Sequence, residues 1–168
     1  MIFKKATAND AKLISNTMKK IYEELENKDL YVIDTEDYIR QSIDGIHGFA
    51  ILALKDNTLA GYFIVRYPEF DEEDHLGDYI GFNTDEKKLS VYMDSAAVLP
   101  EFRGRNLQNR MLSECEKILA DTPYKYSLST ISPDNTASLR SLTKNGFKIL
   151  KTAKLYGGLE RNILYKKI

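Results

Sequence analysis

The chain has one cysteine, two histidines and no excess of either charge. Its 168 residues hold 24 Lys and Arg against 25 Asp and Glu, a formal charge of −1. Cys115 alone excludes an internal disulfide. With only His47 and His75 beside it, no His/Cys spacing suits a metal, and none is expected. The balanced charge argues against a dedicated nucleic-acid binder, whose footprint is a marked basic excess. No apolar run approaches the ~18 residues of a membrane span, so no membrane partner is expected. The first dozen residues run into a polar helix pattern and not a signal peptide, so the expected location is the cytoplasm. Repeats and low-complexity tracts are absent.

What is present is an ordinary globular composition, 43% apolar and 29% charged. The length fits one domain over residues 1–168. A chain of this size buries about 70% of its unfolded surface and needs no staple. Ile2 to Ala6 reads as a strand. Thr7 and Asp10 are spaced as a capping box. Leu13, Ile14, Met18, Ile21 and Leu25 then fall at helical spacing. A second helix is predicted from Thr35 to Ile43, and a hairpin from Phe49 to Tyr67 turning at Asp56-Asn57. Residues 69–88 read as a long polar connection with a short ordered piece near Tyr79 to Phe82. Leu89 to Leu99 is an apolar strand ended by Pro100. Leu107, Met111, Leu112, Cys115, Ile118 and Leu119 mark the clearest helix, from about Arg105 to Ala120. Tyr126 to Ile131 is a strand, and Pro133-Asp134-Asn135 opens a helix that stops at Asn145-Gly146. Two strands close the chain, joined around Tyr156-Gly157-Gly158. The order β-α-α-β-β-β-α-β-α-β-β predicts an α/β fold with helices flanking one sheet.

The stretch from Val98 to Leu112 carries the chemical signal. A buried strand ends, a tight turn with Arg103, Gly104 and Arg105 follows, and a helix begins. Free backbone N–H groups at such a turn, with the helix dipole behind them, make an anion site suited to a pyrophosphate. The competing reading is an arginine-rich helix start facing water.

Pro100-Glu-Phe-Arg-Gly-Arg-Asn-Leu-Gln after a strand resembles the acyl-CoA motif of the GNAT family of N-acetyltransferases, Arg/Gln-x-x-Gly-x-Gly/Ala. Arg103 matches its first position, while Asn106 and Gln108 stand where the glycines usually are. Asn135-Thr-Ala-Ser-Leu-Arg-Ser-Leu-Thr-Lys-Asn-Gly-Phe resembles the family's second motif at Asn135, Ser138, Gly146 and Phe147. Leu142 occupies the position of that motif's tyrosine, the general acid in many members. The resemblance implies a single mixed, mostly antiparallel sheet with splayed central strands, flanked by helices. It implies acetyl-CoA as co-substrate and a primary amine of a small molecule or peptide as acceptor. The pantetheine arm would pair with Ala97 and Val98. The pyrophosphate would take backbone groups of Arg103, Gly104, Arg105, Asn106, Leu107 and Gln108. Asn135 would touch the pantetheine, or serve only as a helix cap, and Ser138 joins it in the cofactor site. A homodimer is common among relatives.

Transfer to an amine needs a proton acceptor, a polarised carbonyl and a protonated or solvated thiolate. Asp94, in the apolar strand four residues before Val98, is the candidate base. It could equally bind the acceptor's ammonium or be tied to backbone. Tyr156 is the replacement candidate for the acid, or a packing residue. Eight carboxylates between Glu69 and Glu86, with no Lys or Arg, would steer a cationic amine or simply face water. Tyr22, Tyr31 and Tyr38 either line the acceptor pocket or pack. Cys115 reads as core, His75 as a loop residue without a partner and His47 as a surface turn residue. Two rival functions stay open: a non-catalytic acyl-CoA-binding module, and a relative that binds peptide or protein without CoA.

Overall fold

The computed structural model describes residues 1–168. Seven strands form one sheet: β1 (Ile2–Lys5), β2 (Gly48–Lys55), β3 (Thr58–Arg66), β4 (Ser90–Val98), β5 (Tyr126–Ile131), β6 (Lys148–Leu155) and β7 (Leu159–Lys167). Their order across the sheet is β1-β2-β3-β4-β5-β7-β6. Only β4 and β5 are parallel; every other neighbouring pair is antiparallel. The parallel pair is the one joined by a helical crossover, as parallel pairing requires.

The helices are α1 (Ala11–Glu24), α2 (Glu36–Ser42), α3 (Leu76–Tyr79), α4 (Thr84–Lys88), α5 (Leu107–Leu119) and α6 (Thr136–Lys144). None is long and apolar enough to cross a membrane. The spacing that predicts α1 holds for Ile14, Met18 and Ile21, which are buried, but Leu13 points outward. Thr7 and Asp10 do interlock: the Asp10 carboxylate accepts from the Thr7 amide at 2.8 Å. What they cap is a short 3-10 turn, Ala8–Asp10, that leads into α1.

Two side-chain layers cover the sheet. On one face Ile14, Met18, Ile39 and Ile43 pack with Ala50, Leu52, Tyr62 and Ile64. On the other, Leu107, Met111, Leu112, Cys115 and Leu119 of α5 pack with Phe49, Phe63, Val65, Val91 and Met93. Cys115 is fully buried there, and burial pushes its thiol pKa up, so it is core and not a nucleophile.

The connection 69–88 is more ordered than its polarity predicts. It folds into α3 and α4, each started by a side-chain cap from His75 or Asn83. Leu76 anchors it in a third cluster with Tyr92, Leu128, Leu155 and Ile163. His75 is therefore no free loop residue. It is fully buried edge-on to Tyr92, and its Nδ1 accepts from the Gly77 amide at 2.9 Å. Burial lowers its pKa and keeps the ring neutral. His47 does lie in a surface turn, its Nδ1 against Asp44 at 2.7 Å.

β4 and β5 pair only from Ser90 to Tyr92, opposite Tyr126 to Leu128, and then part. A hydrogen bond from Ser129 Oγ to the Met93 carbonyl, 3.1 Å, closes the base of the gap. Gly61 of β3 lets the far end of β4 come close: a Cβ there would lie 2.7 Å from the Ala97 carbonyl oxygen and 3.3 Å from Met111. Backbone cannot yield as a flexible side chain does. Gly61→Ala is therefore expected to lower stability by about 1–3 kcal/mol in a urea titration.

Candidate active site

The parted strands open a cavity of about 710 Å³. Its walls come from both faces of the sheet. Gln108, Asn135, Ser138 and Leu142 line it on the α5 and α6 side; Tyr31, Asp34, Tyr38, Leu76 and Tyr79 line it on the other. The cavity thus runs through the sheet, between strands that no longer bond to each other. That gap leaves backbone groups free. Leu99 N–H bonds to the Ala60 carbonyl at 2.9 Å. In an antiparallel ladder these bonds alternate. Ala97 therefore bonds back to β3 opposite Tyr62, while Ala96 and Val98 turn their groups toward the gap. Of the two residues expected to meet the pantetheine, Ala97 is thus committed to β3, and Val98 has a free amide.

The turn after β4 continues this line. The Arg103 N–H is occupied by the Pro100 carbonyl at 3.2 Å, so Arg103 offers no amide. Its side chain folds back instead, Nε donating to the Val98 carbonyl at 3.2 Å. From Gly104 through Asn109, none of six consecutive amides finds a protein acceptor. Gly104 and Asn106 both adopt positive φ, +75° and +58°, which turns these amides to one side. Asn106 is thus the left-handed residue that starts α5, a conformation Asn tolerates where the family motif has glycine. A polar chain fixes it: Asn109 donates to Asn106 Oδ1 and accepts from Ser141 and Asn145 on α6. Arg105 lies over Phe102 beside the turn, while Arg110 is held over the Phe3 ring of β1. The fit to a phosphate-bearing ligand rests on these free amides, Gly104 to Gln108 among them.

Asn135 caps α6, its side chain accepting from the Ser138 amide at 3.2 Å. It also lines the cavity, as does Ser138, so capping and ligand contact are compatible. Leu142 is buried in the α5 layer at the cavity wall and has no proton to give.

Asp94 reaches the cavity by a specific device. The β3–β4 register steps from Ile64 opposite Ser95 to Val65 opposite Met93, leaving Asp94 as the bulged residue. A bulge re-aims a side chain beside a functional cleft. Arg66 meets it there, Nε to Oδ1 at 3.5 Å, while the same guanidinium grips Glu72 with two bonds of 2.8 and 2.9 Å. Burial raises the Asp94 pKa, and Arg66 opposes that rise. Tyr156 sits at the opposite rim in the turn between β6 and β7, with φ +52°. Its hydroxyl is 2.8 Å from Thr130 Oγ1 on β5. Burial raises its pKa, so it keeps its proton at neutral pH.

The expected tyrosines separate. Tyr31 bonds to Tyr62 and, at 2.7 Å, to Ser95 Oγ, and burial raises its pKa to about 12. It and Tyr38 line the cavity, whereas Tyr22 lies elsewhere, under the Lys28 ammonium. Of the eight carboxylates between Glu69 and Glu86, only Glu72, Glu73 and Asp74 line the cavity. Asp78 pairs with Lys87 at 2.8 Å, and Glu86 caps α4.

One acidic residue escapes a reading of the sequence. Asp34, in the α1–α2 connection, donates its amide to Met18 Sδ at 3.2 Å and faces the cavity with a carboxylate that has no hydrogen bond or ion pair. Burial pushes its pKa to about 7, the charge of Asp94 adds to the rise, and Arg66 offsets part of it. No motif surrounds Asp34, and only the fold places it near Asp94. An unfolded Asp titrates near 4, so the native state loses stability as pH rises from about 4 to about 7. Asp34→Asn removes that loss. Its melting temperature should match wild type at pH 4, exceed it increasingly up to pH 7 and hold a constant lead above; a lead independent of pH would contradict this.

Comparison with known proteins places this architecture. The model of the acetyltransferase (GNAT) family matches residues 15–147. No curated protein matches the sequence. Among solved structures, Arabidopsis thaliana NAA60 in complex with acetyl-CoA superposes with a TM-score of 0.78 at 13% identity, covering 99% of this chain and 98% of that one. The Drosophila melanogaster polyamine N-acetyltransferase gives 0.75 at 10% identity, covering 99% of each. The ribosomal-protein-alanine N-acetyltransferase of Brucella melitensis gives 0.72 at 17% identity over the full length of both. At these identities the superpositions establish the fold, and the family model covers most of the chain. The chain belongs to the GNAT family of acetyltransferases.

Proposed function

We propose that the protein transfers an acetyl group from acetyl-CoA directly to a primary amine of a small molecule or peptide. The observation that carries this reading is the continuity of one path. Ala96 of β4 and Gln108 of the α5 turn line the same cavity as Asp34, Glu72 and Asp94, and the free Val98 amide and the unpaired amides of the turn lie along the chain between those two residues. A phosphate-bearing thioester suits the amides and a cationic acceptor the carboxylates. The Brucella and Drosophila enzymes are named for a protein amine and for polyamines, which supports both acceptor sizes.

In this reading each residue has a separable task. The amides from Gly104 onward bind the pyrophosphate. The Val98 N–H donates to the carbonyl oxygen as negative charge develops there. Asp94 takes the proton of the acceptor's ammonium, since only the free amine attacks. A raised pKa brings a carboxylate nearer the range where it works as a base. Tyr156, still protonated at neutral pH, donates to the leaving thiolate. No cysteine lines the cavity, and no histidine lines it to activate one of its serines, so the transfer is read as direct.

Leu142 favours one alternative. With a buried leucine at the tyrosine position of the family motif, the same path could serve to bind acyl-CoA without transfer. Thermal shift and thiol release separate the two. Acetyl-CoA is expected to raise the melting temperature, and a panel of primary amines is expected to release CoA. Stabilisation without thiol release for any amine would establish the binding module. Asp94→Asn should lower kcat by about 10²–10⁴ and remove the fall of the rate toward low pH that protonation of this carboxylate causes. Tyr156→Phe should lower kcat while leaving acetyl-CoA binding intact; an unchanged kcat would assign that proton to water.

A further inference from the structure

We propose that Asp34 is the carboxylate that holds the acceptor's ammonium, and that the site selects alkylammonium groups with no carboxylate beside them. The inference rests on the acetyltransferase reading above and assigns the acceptor half of its cavity.

Asp34 stands apart from the other cavity carboxylates. Glu72 and Asp94 share the Arg66 guanidinium. Glu73 and Asp74 are exposed to water, and Asp74 also accepts from the Tyr79 hydroxyl at 3.2 Å. Asp34 is half-buried and has no donor of its own. The protein's other cations do not serve it. Arg161 is buried, its guanidinium donating to the Glu160 and Asp29 carbonyls, and Lys154 is exposed. A half-buried carboxylate without a partner is costly to keep charged, and an arriving ammonium removes that cost.

The surroundings suit such a cation. Asp34 lies on a connection pinned by Tyr31, whose hydroxyl bonds to Tyr62 and to Ser95, the residue next to Asp94. The Tyr31, Tyr38 and Tyr156 side chains line the same cavity. An ammonium between Asp34 and Asp94 faces two carboxylates, one to grip it and one to take its proton. A free α-amino acid would bring its own carboxylate among Asp34, Asp94 and Glu72, with Arg66 already engaged. That repulsion disfavours it.

Protonation of Asp34 supports the same assignment. The charged and titratable groups around it are Asp94 on β4, Arg66 on β3, Tyr38 on α2, Tyr31 on its own connection and, beyond Arg66, Glu72. Lys154, Tyr156 and Arg161 line the cavity from the last hairpin. Below about pH 7 Asp34 is mostly protonated and cannot pair with an ammonium. The KM for the amine should therefore rise as pH falls through 7.

The test measures kcat and KM, by CoA release at saturating acetyl-CoA, for n-butylamine, 1,4-diaminobutane, a peptide with a free N-terminus and free alanine. Wild type should prefer the first three over alanine. With the best of these amines, Asp34→Asn should raise KM at least tenfold, change kcat less than threefold and abolish the rise of KM below pH 7. Asp34→Glu should recover most of the KM, and Asp34→Ser replaces Asn if Asn does not fold. A KM within twofold of wild type in the uncharged variant, an equal rise in Asn and Glu, or alanine as the best acceptor overturns the inference and leaves the acetyltransferase reading standing. Wild type that releases CoA with no amine overturns both.

Discussion

The parting of β4 from β5 is the constraint on which the rest of the site depends. Three residue pairs hold the two strands together, and beyond Tyr92 and Leu128 they separate. Backbone groups that a continuous sheet would satisfy internally are left to face a cavity. Such groups are costly to bury unpaired, so water or a ligand must satisfy them. The Ser129–Met93 hydrogen bond and the bulge at Asp94 lie where the parting begins. One sets the base of the gap and the other turns a carboxylate into it.

Charge is organised around the same opening. The formal total of −1 conceals a positive, amide-rich turn at the start of α5 and a cavity with five carboxylates on the other side of the sheet. Arg66 divides those carboxylates into two groups. It pairs with Glu72 and Asp94, forms no ion pair with Asp34, and offsets the rise of the Asp34 pKa only in part. The difference between Asp94 and Asp34 is therefore one of partners, not of residue type.

Departures from the family's motif have local structural explanations. Asn106 adopts the left-handed backbone that a glycine would supply, and Asn109 with Ser141 and Asn145 holds it there. Leu142 completes the apolar layer under α5, with Phe147 and Leu164 in the same cluster. A tyrosine's loss at that position thus leaves packing intact and moves the question of the acid to Tyr156. The acidic run is only partly a rim, because α3 and α4 use Asp78 and Glu86 for their own stability.

Local pattern determined much of this protein. The β-rich runs, the apolar stripe of α5, the Asp56-Asn57 turn and the stop at Gly146 are set by neighbours in the chain, and each was legible there. So in part was the strand–turn–helix that bears the free amides, because Pro100, Gly104 and Asn106 shape the turn locally, while Ser141 and Asn145 hold it from a distance through Asn109. Tertiary structure decided what depends on distant partners. It buried His75 under Tyr92, 17 residues on, ordered the polar connection around Leu76, committed Ala97 to β3 and brought Asp34 beside Asp94. A carboxylate's chemistry follows from what surrounds it. Asp34 has no ligand motif about it, so its partnerless state was set only when α2, β3 and β4 closed around one cavity.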